Sequence, residues 1–133
     1  MILEIYEHLL SSYAAELSAL TSKGFPTWAR PELTPPLVAL EIAGTQPYAD
    51  RTGQLVAQVN AGYRGWLFAR NEPELARMLD LLWAWHKTDG SAFEIAARRV
   101  ACKLRETQRH DPLISVEKEA HAHVFVVEVA YKG

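Results

Sequence analysis

The sequence predicts an α+β domain: a mainly antiparallel sheet of about four strands, with an N-terminal helix and a central amphipathic helix packed on it. Three observations predict it. Apolar residues at the N-terminus recur at helical spacing. Residues 54–87 pass from an extended segment, QLVAQVNAGYRGWLFAR, straight into a capped helix, NEPELARMLDLLWAWHK. The C-terminal HAHVFVVEVAYK alternates with period two.

In chain order, Ile2, Ile5, Leu9, Tyr13, Leu17 and Leu20 lie three or four residues apart with Glu4, Glu7, Ser11 and Glu16 between them, an amphipathic helix that Lys23-Gly24-Phe25-Pro26 ends. Prolines 31, 35 and 36 keep Thr27–Pro36 irregular, with Trp28 lying across the core. Leu37–Ala43, LVALEIA, predicts a strand, and Thr45–Gly53, with Pro47, Asp50 and Gly53, predicts a loop. Residues 54–69 read as one long strand, bent near Gly62 and Gly65. Asn71 at the N-cap, Glu74 three residues on and Pro73 in the first turn start the helix. Its stripe of Leu75, Met78, Leu79, Leu82 and His86, flanked by Trp83 and Trp85, lays it flat on the sheet. Ser91–Arg109 supports two readings: a helical turn over 91–97 followed by a strand over 99–106, which we adopt, or one continuous helix. In the last strand Phe125, Val127, Val129 and Tyr131 share one side. The other side, with Ala122, Val124, Val126 and Ala130, is also apolar, so a neighbouring element or subunit is expected to cover it.

Length and composition fit one domain over residues 1–133: 49% of residues are apolar and 23% charged. Fourteen Lys and Arg against 16 Asp and Glu leave a net charge of −2, which provides no global attraction for nucleic acid or an anionic membrane. The single Cys102 requires no oxidising compartment, and the N-terminus carries Glu4 and Glu7 where a signal peptide carries Lys or Arg. No apolar run reaches the roughly 20 residues of a membrane span.

No catalytic or cofactor motif emerges: there is no G-x-S-x-G, no Gly-rich phosphate loop and no H-E-x-x-H. Three weaker constellations remain. His121, His123 and Cys102 would meet as zinc ligands if their strands pair in a suitable register. Glu41 and Glu128 would form a carboxylate pair if their strands are neighbours. Arg98, Arg99, Lys103, Arg105 and Arg109, relieved by Glu106, make the only basic concentration, either a solvated face or a contact for an anionic partner, and clustering on one side would favour the latter.

The succession of N-terminal helix, Pro-rich turn with Trp28, LVALEIA, QLVAQVNAGYRGWLFAR, NEPELARMLDLLWAWHK and HAHVFVVEVAYK resembles the tail terminator, or tail completion, proteins of tailed bacteriophages in layout over nearly the whole chain. The resemblance implies a structural virion protein and not an enzyme. It would be assembled in the host cytoplasm as a homo-oligomeric ring, typically a hexamer, that needs no cofactor. Its partners would be the tail tube protein and the head–tail connector, with DNA passing nearby. A ring needs two unlike patches on each subunit. Trp28, Tyr48, Asp50, Arg51, Trp66, Val124 and Val126 are the candidates for contacts with a neighbour or the tube. A small enzyme or ligand-binding module, with a pocket between the 71–87 helix and the sheet, is the alternative; a nucleic-acid adaptor is a third reading. A filled interior argues against a pocket there.

Overall fold

The first helix, α1 (Ile2–Leu17), buries Ile5, Leu9, Tyr13 and Leu17 along one stripe of the computed structural model, which describes residues 1–25, 34–49, 55–110 and 121–132, side chains at 45–49, 55–57 and 109–110 excepted. The helix stops three residues earlier than its apolar periodicity suggests. Ser18 turns left-handed at φ 50°, Ala19 N–H donates to Ala14 O, and Leu20 N–H is taken by Pro36 O at 3.1 Å. Leu20–Lys23 thereby becomes a strand, β1, parallel to the start of β2 (Leu37–Ala49), and Gly24, with φ 80°, closes it by donating to Leu40 O. The Thr27–Pro36 lid with Trp28, and Asp50 and Arg51, lie outside the described residues.

β2 does not end at Ala43 as the sequence suggests. It continues through Gly44 and Pro47 to Ala49, paired with β3 (Leu55–Ala69), because register shifts between Ile42 and Gly44 and between Pro47 and Ala49 absorb the residues that break a regular ladder. The expected 45–53 loop is therefore half strand. The backbone of Tyr48 belongs to β2, and its side chain lies outside the described set. β3 is one long strand, as expected.

α2 (Glu72–Lys87) starts where its signals place it. The Asn71 side chain accepts from Glu74 N–H at 2.9 Å, a cap worth about 1 kcal/mol. The reciprocal half of the capping box is displaced by one residue, since the Glu74 carboxylate takes Arg70 N–H at 3.0 Å and also grips the Arg70 guanidinium. Met78 and Leu82 are fully buried, with Leu75, Trp85 and His86 beside them.

After a 3-10 turn at Asp89–Ser91, the expected helical turn over 91–97 is absent. Ala92–Ile95 forms a strand, β4, which turns through Ala96 and Ala97 into β5 (Arg98–His110). Both alanines have positive φ, 52° and 62°, the pattern of a two-residue type I′ hairpin that Asn-Gly ordinarily supplies. Left-handed alanine costs about 1 kcal/mol per residue. Ala96→Asn with Ala97→Gly is accordingly expected to raise the unfolding free energy by about 1 kcal/mol, read as an increased urea midpoint at unchanged slope.

β6 (His121–Lys132) pairs antiparallel with both β3 and β5. The sheet thus has six strands of mixed direction in the order β1-β2-β3-β6-β5-β4, curling into a half-barrel, in place of about four antiparallel ones. The two extra strands, β1 and β4, are four-residue edges too short to stand out by periodicity. Both helices pack on one face. Between them and the sheet lies the main core of Tyr13, Val38, Leu40, Tyr63, Leu67, Leu82, Phe125 and Val127. A second, smaller cluster on the opposite face gathers Leu37, Ala39, Trp66, Phe68 and Ala122. No helix among the described residues is long and apolar enough to cross a membrane.

Candidate functional site

The face of the sheet turned away from the helices carries the most distinctive surface. Strand alternation points Val100, Cys102 and Leu104 into the core, so Arg99, Ala101 and Lys103 of β5 project from the far face, beside Glu128, Ala130 and Lys132 of β6 and Gln58 and Asn60 of β3. The small residues Ala101 and Ala130 floor a depression of about 610 Å³ rimmed by Gln58, Arg98, Arg99 and Lys132. It is continued by one of about 330 Å³ that Asn60, Lys103 and Glu128 border. None of Arg98, Arg99, Lys103 and Lys132 is in an ion pair among the described residues. Arg105, at the register shift in β5, is held by Glu128 at 3.3 Å. Three members of the basic group, Arg99, Lys103 and Arg105, share this face, while Arg98 pairs with Ile95 at the hairpin end.

The apolar candidates divide. Trp66 is 7% exposed, packed edge-on against Phe25 at 5.3 Å and into the small second cluster, so in the single chain its ring belongs to that cluster. Val124 is partly buried against that cluster. Val126 stands half-exposed between Arg64 of β3 and Glu106 of β5. The second face of β6 is therefore covered by its own chain at the Ala122 end and left accessible from Val126 onward.

The zinc constellation does not form. β5 and β6 do pair, but Cys102 lies opposite Val129, six residues from His123, about 20 Å along the strand. His121 Nδ1 sits 3.0 Å from Glu72 Oε1. No group of three or more His, Cys, Asp or Glu residues suited to a metal occurs among the described residues. Glu41 and Glu128 are likewise separate. β3 runs between their strands, and each meets its own arginine, Arg64 at 3.4 Å and Arg105 at 3.3 Å.

No protein-family model and no curated protein matches the chain. Its chemistry must be read from these surfaces and from the core.

That core contains one polar chain that sequence reasoning missed. His86 Nε2 lies 2.9 Å from the Tyr13 hydroxyl, and His86 Nδ1 lies 3.8 Å from Cys102 Sγ. Burial pushes the imidazole down to about 4 and the thiol up to about 12, and it pushes the Tyr13 phenol well above its usual range. All three groups are neutral near pH 7. The thiol is held protonated, so the pair satisfies buried polar atoms and does not make a nucleophile of Cys102. The only sequence signal for it is His86 falling on the apolar stripe of α2.

Proposed function

We propose that this chain is a structural subunit that assembles with copies of itself into a closed ring, in the manner of the tail terminator that caps a bacteriophage tail tube and joins it to the head connector. The observation that carries the reading is the filled space between α2 and the sheet. There Met78, Leu82, Trp85 and His86 are each no more than 6% exposed, and none of the depressions described among these residues is lined by α2, where the alternative, a small-molecule module, requires its pocket. What remains available for function is surface. The sheet offers an accessible far face from Val126 to Lys132 and exposed apolar side chains at Leu20 and Ile42, and α1 adds an exposed Leu3. Unlike patches of this kind are what a heterologous contact uses. The basic groups Arg99, Lys103 and Lys132 of the far face, with Arg98 at the hairpin end of its rim, would meet an acidic partner surface, with overall charge too low to hold a long polyanion.

Native mass spectrometry and light scattering of the purified chain test the reading. A closed oligomer, a hexamer by the resemblance to tail terminators, is expected, with a ring outline in negative-stain images. A monomer persisting at high micromolar concentration would overturn it.

A further inference from the structure

Among the described residues, the two sides of the sheet are open along much of their length. β1 pairs only with Leu37–Leu40 of β2, so among the described residues the outer edge of β2 has no strand partner from Glu41 to Ala49. β4 pairs only with Arg98–Ala101 of β5, so among the described residues the outer edge of β5 has no strand partner from Cys102 to His110. Unpaired strand edges offer rows of N–H and C=O groups to any extended chain, and natural proteins usually guard them with charge. Here the two edges are treated differently. β5 carries Lys103 and Arg105, which oppose pairing with an identical edge, whereas β2 presents the exposed Ile42, Ala43 and Gly44.

The openings also sit at different heights. Following the ladder across the sheet, Ile42 aligns with Tyr63, Val127 and Leu104, and Gly44 aligns with Gly62, Glu128 and Lys103. Glu41 aligns with Arg64, Val126 and Glu106, next to Arg105. Toward Leu37 from this zone β1 covers β2, and toward Arg98 β4 covers β5. Among the described residues both edges are therefore open at the same height only where Glu41–Thr45 stands level with Cys102–Glu106, and Glu41–Gly44 and Lys103–Glu106 make up most of that zone.

From this we infer that Glu41–Gly44 of one copy adds as an antiparallel strand to Lys103–Glu106 of the next, so that one sheet runs continuously around the assembly. The inference rests on the ring reading and specifies its contact. Direction agrees: β2 and β5 are antiparallel within the subunit, and a rotation about an axis along the strands keeps them so. A closed ring adds no rise from copy to copy, so strands along its axis meet at equal height. Ile42, 42% exposed in the single chain, then comes beside Leu104, and Glu41 comes within reach of Arg105, a complementary charge. Two β2 edges or two β5 edges would not produce this match, and the contact is head-to-tail.

Cysteine cross-linking tests it in the full chain. Gly44→Cys/Lys103→Cys, both at exposed positions, is expected to oxidise to a ladder of covalent oligomers ending at the native ring size on non-reducing gels, since neighbouring strands bring paired positions within disulfide reach. Each single variant should stay uncross-linked. Ile42→Lys should convert the oligomer to monomer with an unchanged far-ultraviolet circular dichroism spectrum. If the unmodified chain forms a ring but the double variant yields no ladder, or Gly44→Cys alone forms dimers, or Ile42→Lys leaves the ring intact, the edge pairing is overturned and the ring reading stands. A monomeric unmodified chain overturns both.

Discussion

Gly65→Ala is expected to destabilise the domain by about 3 kcal/mol, lowering the melting temperature by roughly 10 °C, although it adds a single methyl group to a strand. Gly65 lies directly across from Phe125 on β6, and a Cβ built there would overlap three atoms of the Phe125 ring. The ring has no easy retreat. Phe125 is fully buried and meets Tyr13 edge-on at 5.6 Å, and Tyr13 is fully buried against α2 in turn. The added methyl must displace a ring wedged between sheet and helices, or bend the centre of β3. Phe125→Leu provides the control, because shortening the side chain empties the space the methyl would take. The double variant Gly65→Ala/Phe125→Leu should be more stable than the sum of the two single losses predicts, by about 1–3 kcal/mol. If thermal unfolding of Gly65→Ala falls within 1 kcal/mol of the parent, or the double variant is merely additive, this account of β3 is wrong.

Gly65 also illustrates what the sequence conveys and what it conceals. A glycine in a strand signals a bend or a close approach. Which of the two applies depends on Phe125, a residue sixty positions away. Signals that act within a few residues were readable: the Asn71 cap, the stripe of α2, the unbroken length of β3 and the two apolar faces of β6 all concern neighbours in the chain. The β4–β5 hairpin was not, because its turn is Ala96-Ala97, a pair with no turn preference that tertiary pairing holds in the left-handed region. β1 was hidden for a related reason. Leu20–Lys23 continues the period of α1, and only the left-handed turn at Ser18 and the hydrogen bond from Leu20 to Pro36 convert it to an edge strand.

The candidate surfaces follow the same division. The basic residues of β5 and the apolar outer face of β6 could be identified from the sequence, and the structure brings Arg99, Lys103 and Arg105 to one face beside Val126 and Ala130. Open edges could not be identified, since an edge is defined by the strand that is not beside it, and that depends on β1 and β4 being only four residues long. Trp66 shows the opposite limit of local signals. A large aromatic in a strand looks like an interface anchor until Phe25 is found packed against it.

Acidification below about pH 6.5 is expected to weaken the fold, and His86 sets the direction. In the unfolded chain the imidazole takes up a proton near pH 6.5. In the folded chain it does so only near pH 4, because the charge would be buried between Tyr13 and Cys102, neither of which supplies a counter-charge. Between those values the unfolded state binds a proton that the folded state refuses, so stability is complete above pH 6.5 and declines as the pH falls toward 4. The difference amounts to about 3 kcal/mol in total, and about 2 kcal/mol of it is lost by pH 5, at 1.36 kcal/mol per unit. His8, half-buried against Phe93 and likewise held down by burial, adds in the same direction. His86→Gln keeps a polar group beside the Tyr13 hydroxyl and cannot take up the proton. Urea titrations at pH 7, 6 and 5 should show a progressive loss of unfolding free energy in the parent that is mostly abolished in His86→Gln. Parallel profiles for the two proteins would mean that the imidazole is reached by water or shares its charge with a group that the buried chain of Tyr13, His86 and Cys102 does not contain.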